Sequence, residues 1–230
     1  FGMEPQLTTE ISDENCIIVG SLNSKYIKQL IQKEKLEKKQ LQEKNEKYII
    51  TTVDAPFNGV KKALVIAGSD RRGTIYGVYE LSKQLGVSPW YWWMDVPVVK
   101  RAEAYILPGI YTDGEPAVKY RGIFLNDEAP CLTSWVKQYY GTDFGDHRFY
   151  AQVCELILRL KGNFLWPAMW GWAFYADDSL NSKTADEMGV IIGTSHHEPM
   201  ARNHQEWARK RNEYGAWNYS TNKKVLDQFF

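Results

Sequence analysis

The chain has 230 residues, enough for two domains with their own cores. Its 28 basic and 28 acidic residues cancel to a formal net charge of zero, which removes the usual grounds for a polyanionic partner such as nucleic acid. No apolar run approaches the roughly 18 residues of a membrane-spanning helix, and three cysteines without CxxC spacing make neither a disulfide framework nor a zinc site.

The opening segment FGMEPQLTTEISDEN lacks the charged, apolar, small-residue order of a signal peptide, and Phe1 is an unusual first residue, which points to a trimmed or partial product. Cys16-Ile17-Ile18-Val19-Gly20 then reads as a short buried strand, followed from about Lys25 by a helix with Ile27, Leu30 and Ile31 at helical spacing. The run KEKLEKKQLQEKNEK (33–47) interleaves lysine with glutamate and reads as a solvated helix face. Tyr48 to Val53 and Ala63 to Ala67 are β-rich strands joined through Pro56 and Asn58-Gly59, a hairpin-type connection. Gly68-Ser69-Asp70 turns into a helix carrying Ile75, Val78, Tyr79 and Leu81 to Leu85, which Gly86 stops. This strand–turn–helix invites a nucleotide reading, but SDRRGT has neither a GxGxxG nor a GxxxxGK[ST] pattern. Residues 1–117 are therefore expected to form a small α/β accessory domain. The aromatic segment SPWYWWMDVP (88–97) reads first as a plug of rings, with Trp90 as its candidate for lining a sugar-binding cleft.

From Val118 the pattern becomes strand, loop, helix, strand. Strands are expected at about 119–125, 163–166 and 190–193. Helices are expected at about 147–160, with Phe149, Val153, Leu156, Ile157 and Leu160 on one face, at about 180–188, and from Ser220 or Thr221. Strands alternating with helices imply parallel pairing. Three βα units are too few to close an eight-stranded barrel, and the chain stops inside a helix, so it reads as the first part of a longer protein. Cys16 and Cys154 read as small buried hydrophobes.

Each of these three strands ends in polar and aromatic residues, which is how a (β/α) barrel builds a site at one face. All nine tryptophans lie at or after Trp90 and all four histidines at or after His147, so the chemistry belongs to the second half. After strand one, Asn126-Asp127-Glu128 offers Asp127 facing inward, Asn126 as a hydrogen-bonding amide and Glu128 as a loop support. After strand two, Trp170 is the candidate platform for a sugar ring, while Trp166 reads as core. After strand three, His196-His197-Glu198 offers His196 to an anionic sugar, with His197 or Glu198 lining the site or holding the loop. Contiguous His-His-Glu before a proline does not suit a zinc ion, so no metal is expected.

Together RGTIYGVYELSKQLGVSPWYWWMDVPV (72–98), RGIFLNDEAP (121–130), NFLWPAMWGWAFYADD (163–178) and GTSHHEPM (193–200) resemble glycoside hydrolase family 115, the xylan α-1,2-glucuronidases. The resemblance runs from about residue 15 to the end. It implies an α/β N-terminal domain followed, in residues 118–230, by the first βα units of a (β/α)8 TIM barrel. It also implies release of glucuronic acid or its 4-O-methyl ether from xylan side chains with inversion, no cofactor, and a secreted or periplasmic location. Asp127, Trp170 and His196 would sit in the uronate pocket, with Asn126, Trp90 and Glu198 as further substrate-binding candidates. Further pocket residues would come from later strands, and any homodimer would form through regions outside this chain. Asp127 could be one member of the acid/base pair or an orienting group, and orientation is the preferred reading. The isolated chain is expected to be inactive. Two other readings fit the aromatic surfaces: another two-domain exo-glycosidase of the β-hexosaminidase kind, and a non-catalytic carbohydrate-binding protein.

Overall fold

A computed structural model describes residues 6–11 and 14–230; parts of the N-terminal segment read above, Phe1 to Pro5 and Ser12-Asp13, lie outside the described residues. The fold is mixed α/β in two compact units, Phe1–Lys119 with Leu158–Lys161, and Tyr120–Ile157 with Gly162–Phe230.

In the first unit, β1 (Asn15–Ser21), β2 (Tyr48–Asp54), β3 (Lys62–Gly68) and β4 (Ile110–Tyr111) form one sheet in the order β1-β3-β2-β4. β1 runs parallel to β3, and β2 runs antiparallel to it as the Asn58-Gly59 turn predicts, with Thr51 opposite Val65. One face of the sheet is covered by α1 (Lys25–Gln32), whose Ile27 and Leu30 join Ile18, Ile49, Val53 and Val65 in a core. On the other side α2 (Arg71–Gln84) approaches closely because it has no side chain at Gly77; a Cβ there would lie 2.6 Å from Ile66 Cγ2. Asp70 caps this helix by accepting from Gly73 N at 2.8 Å, so its own carboxylate occupies the helix N-terminus that a nucleotide fold would offer to phosphate.

Residues 33–47 do not form the expected helix. They make turns around a single 3-10 turn at Lys38–Gln40, with positive φ at Glu34, Glu43 and Glu46. The apolar residues there, Leu36 and Leu41, are five apart and cannot share a helix face, yet both are buried, which folds the segment back onto the core. In 88–97 the chain turns at Ser88–Met94 and leaves Trp90 39% exposed.

The second unit contains β5 (Gly122–Phe124), α3 (Cys131–Tyr140), α4 (His147–Arg159), β6 (Phe164–Trp166), α5 (Phe174–Asp177), α6 (Leu180–Met188), β7 (Ile191–Ile192), α7 (His204–Arg209), α8 (Arg211–Tyr214) and α9 (Tyr219–Phe229). The three strands pair parallel in chain order, with Ile123 opposite Leu165 and Leu165 opposite Ile192. The described residues form this open sheet and not a closed barrel. Two expectations are corrected. The stretch expected as a long loop before His147 contains α3, and Leu160 lies beyond the end of α4 and is exposed, outside the buried face of Phe149, Val153, Leu156 and Ile157. Cys154 is buried, and burial pushes its thiol up to about 12. No helix among the described residues is long and apolar enough to cross a membrane.

Candidate functional site

The C-terminal ends of β5, β6 and β7 lie side by side because the strands are parallel, so the residues that follow each strand meet at one edge of the sheet. After β6 the chain runs from Pro167 to Ala173 without regular structure, and its backbone polar groups must therefore find partners elsewhere. Side chains from distant elements supply them.

Asp127, just past β5, is the main support. Its Oδ1 accepts from Trp170 N at 3.0 Å, and its Oδ2 accepts from Gly171 N at 2.6 Å and Trp172 N at 2.9 Å. On the other flank Asn203 Nδ2 lies 3.4 Å from Met169 O, Gln205 Nε2 donates to Trp170 O at 2.5 Å, and Arg209 Nη2 donates to Gly171 O at 2.9 Å. Asp177 closes the frame, accepting from Ala173 N through Oδ2 and from Arg209 Nη1 through Oδ1. The result is an irregular loop held almost entirely by side chains.

This frame presents Trp170, which is 49% exposed, while Trp172 turns inward against Phe149 with ring centroids 5.7 Å apart. The Trp170 ring meets His197 at 4.9 Å; His197 in turn meets His196 at 4.1 Å and His204 at 4.7 Å. His196 is exposed, with Nδ1 2.8 Å from Ser195 Oγ. Burial, and then the neighbouring charges of His196 and His204, lower the His197 pKa, which favours its neutral ring.

Trp170 and His196 thus lie on one ring cluster, joined through His197. Asp127 is 5% exposed, with both oxygens committed to the loop amides. Asn126 is exposed and donates to Glu128 Oε1 at 3.0 Å. Glu198 is buried at 2% exposure, with Oε1 accepting from Asn203 Nδ2 at 3.2 Å and Oε2 without a hydrogen-bond partner among the described residues. Burial pushes its carboxyl up, against hydrogen bonds from Asn203 and Ser195 and with a smaller push from Glu206. Trp90 belongs to the first unit. Trp166 is partly buried against Phe124 at 5.2 Å.

Among the described residues no group of three or more His, Cys, Asp or Glu side chains is arranged to hold a metal ion. The three clustered imidazoles pack tilted against one another, His196 against His197 at 55° and His197 against His204 at 47°. A separate cleft of about 740 Å³ in the first unit, lined by residues including Ile17, Ile50, Leu81, Ile110, Glu80 and Asp113, contains none of the candidate residues.

Asn203, Gln205, Arg209 and Asp177 were not anticipated. One of them left a local trace, since Asn203-His204-Gln205-Glu206 spells a capping box, and Asn203 and Glu206 do cap α7 reciprocally. The bonds from Gln205 and Arg209 to the loop have no counterpart in local sequence pattern.

Residues 113–230 match the sequence pattern of glycosyl hydrolase family 115. The chain belongs to that family. Residues 1–81 of this family 115 chain also match the N-terminal pattern of glycosyl hydrolase family 67. Among solved structures it is similar to a family GH115 4-O-methyl-α-glucuronidase described as having specificity for decorated arabinogalactans, with 34% identity and a TM-score of 0.76. That similarity covers 93% of this chain and 27% of the other, so the family 115 chain spans about a quarter of that relative's length. Among curated proteins none matches.

Proposed function

We propose that this chain forms the first part of the catalytic barrel, with its α/β accessory domain, of an α-glucuronidase that removes glucuronic acid or 4-O-methylglucuronic acid from polysaccharide side chains with inversion. The observation that carries this reading is the braced Trp170 and its histidine neighbours at the carboxyl edge of a parallel sheet. A half-exposed indole suits the C–H face of a pyranose ring. An exposed imidazole beside it can donate to a uronate carboxylate. With Asp127 spent on three backbone amides, its role is to hold the Trp170 loop, and the proton donor and the base come from later strands. Inversion asks for two carboxyl groups roughly 6.5–9.5 Å apart with a water between sugar and base. Asn126 and the backbone around His196 are left to contact sugar hydroxyls, with Trp90 a further candidate.

Glucuronoxylan is the substrate that the family resemblance implies, and a polymer of that size places the enzyme outside the cytoplasm, secreted or periplasmic. A second substrate reading, uronate-capped arabinogalactan, is favoured by the specificity described for the structural relative. Incubating the full-length protein with each polysaccharide and following the released sugar's anomer by NMR tests both. Release of β-configured glucuronic acid or its 4-O-methyl ether is expected. Release of N-acetylhexosamine alone, or polysaccharide binding without turnover, would refute the proposal. The 230-residue chain by itself is expected to release nothing.

A further inference from the structure

Asn203 stands where three segments meet. Its Nδ2 lies 3.2 Å from Glu198 Oε1 in the loop after β7 and 3.4 Å from Met169 O in the loop after β6. Its Oδ1 accepts from Gln205 N at 2.8 Å, and its own N–H donates to Glu206 Oε1 at 3.1 Å, closing the first turn of α7. Asn203 and Glu198 are both buried, so neither can reach a bound sugar. We propose that Asn203 and Glu198 are a pair of positioning residues that fix the Trp170 loop against the His196-His197 loop, acting through Met169 and touching no substrate.

The chemistry of the pair supports this. As an N-cap, asparagine and aspartate are equivalent. The bridge is not indifferent, because Met169 O and Glu198 Oε1 both need a donor, and only the amide supplies one. Aspartate at this position would keep the cap, leave Met169 O unpaired and set two carboxyl groups against each other. Glu198 Oε1 is the atom that accepts from Asn203; burial pushes this carboxyl up, against hydrogen bonds from Asn203 and Ser195, and the other charged or titratable groups near it are Glu206 and the phenols of Tyr150 and Tyr175. Gln205, two residues on from Asn203, passes the register directly to Trp170 O. Small displacements of a substrate-positioning group are costly to turnover.

The effect on turnover rests on the α-glucuronidase reading, so one measurement is chosen that does not. In the full-length protein, Asn203→Asp is expected to speed hydrogen exchange in peptides covering 166–173 by about tenfold or more while α7 keeps its protection. KM for a glucuronidated oligosaccharide is expected to rise about tenfold, with kcat changed much less. Glu198→Gln is expected to keep the protection of 166–173, because its carbonyl still accepts from Asn203. The double variant N203D/E198Q restores a donor–acceptor bond between the two side chains but leaves Met169 O without its donor, so it is expected to exchange at 166–173 nearly as fast as N203D. Wild-type exchange at 166–173 in N203D would overturn the proposal. So would an E198Q variant that keeps protection but loses turnover a thousandfold, since Glu198 would then act in the chemistry. If the wild-type protein releases no glucuronic acid, the functional reading falls and the exchange results alone decide the fate of the pair.

Discussion

Substituting Asp127 by asparagine is the most informative single perturbation of the site. The wild-type carboxylate accepts three backbone N–H groups, from Trp170 at 3.0 Å, Gly171 at 2.6 Å and Trp172 at 2.9 Å. An amide has one acceptor oxygen and turns an NH₂ group toward donors, so the Oδ1 bond, the two Oδ2 bonds, or part of both sets must be lost. A bond to a carboxylate contributes about 1.5–3 kcal/mol, and a buried donor left unsatisfied costs about 1–3 kcal/mol. Losing one to two bonds, with some relief as the exposed part of the loop admits water, should cost about 2–4 kcal/mol. Over a chain of this size each kcal/mol corresponds to roughly 2–4 °C in Tm, so a drop of about 4–16 °C is expected. Thermal unfolding followed by tryptophan fluorescence measures it, alongside kcat and KM in the full-length enzyme. Asp127→Ala should be at least as damaging. A Tm unchanged within a degree or two, together with a collapse in kcat, would refute the reasoning and place Asp127 among the reacting groups.

Three further outcomes are expected. Trp170→Ala should lower kcat/KM about tenfold through loss of the sugar platform while leaving Tm nearly unchanged, because the ring is half exposed; an unaltered kcat/KM would remove Trp170 from the site. Although burial works in the opposite direction, hydrogen bonds from the His147 ring and from Leu180 and His147 amides hold Asp178 down to about 2. Its folded value is depressed, so its contribution to stability is present above the unfolded value near 4 and is lost as pH falls from there toward 2; Asp178→Asn should flatten that part of a stability-versus-pH curve, and an unchanged curve would deny the interaction. Cys131 is exposed and Cys154 is buried with its thiol raised to about 12, so iodoacetamide at pH 8 should label Cys131 in the native protein and Cys154 only after unfolding, as read by peptide mass spectrometry; native labelling of Cys154 would contradict the packing of α4.

Much of the architecture could be read residue by residue because it rests on local chemistry. β2 and β3 are β-branched runs around an Asn-Gly turn, α2 starts at a capping Asp70, and β5, β6 and β7 are short apolar segments separated by helical ones. The same reading placed Asp127, Trp170 and His196 just beyond strand ends, since an apolar run that stops in polar and aromatic residues shows where a strand leaves the core. It failed at residues 33–47, where alternating charge was mistaken for a helix although Leu36 and Leu41 have no helical spacing. Which groups those side chains bond is visible only in the folded chain. A loop outside helix or sheet must bond its amides and carbonyls to something, and sequence pattern does not reveal which distant side chain will serve. Here the partners come from Asp127, some 43 to 45 residues before the amides it holds, and from Gln205 and Arg209, 35 and 38 residues after the carbonyls they hold. Those bonds tie Asp127 to the loop that carries Trp170, and chain order does not specify them because they depend on neighbours in space.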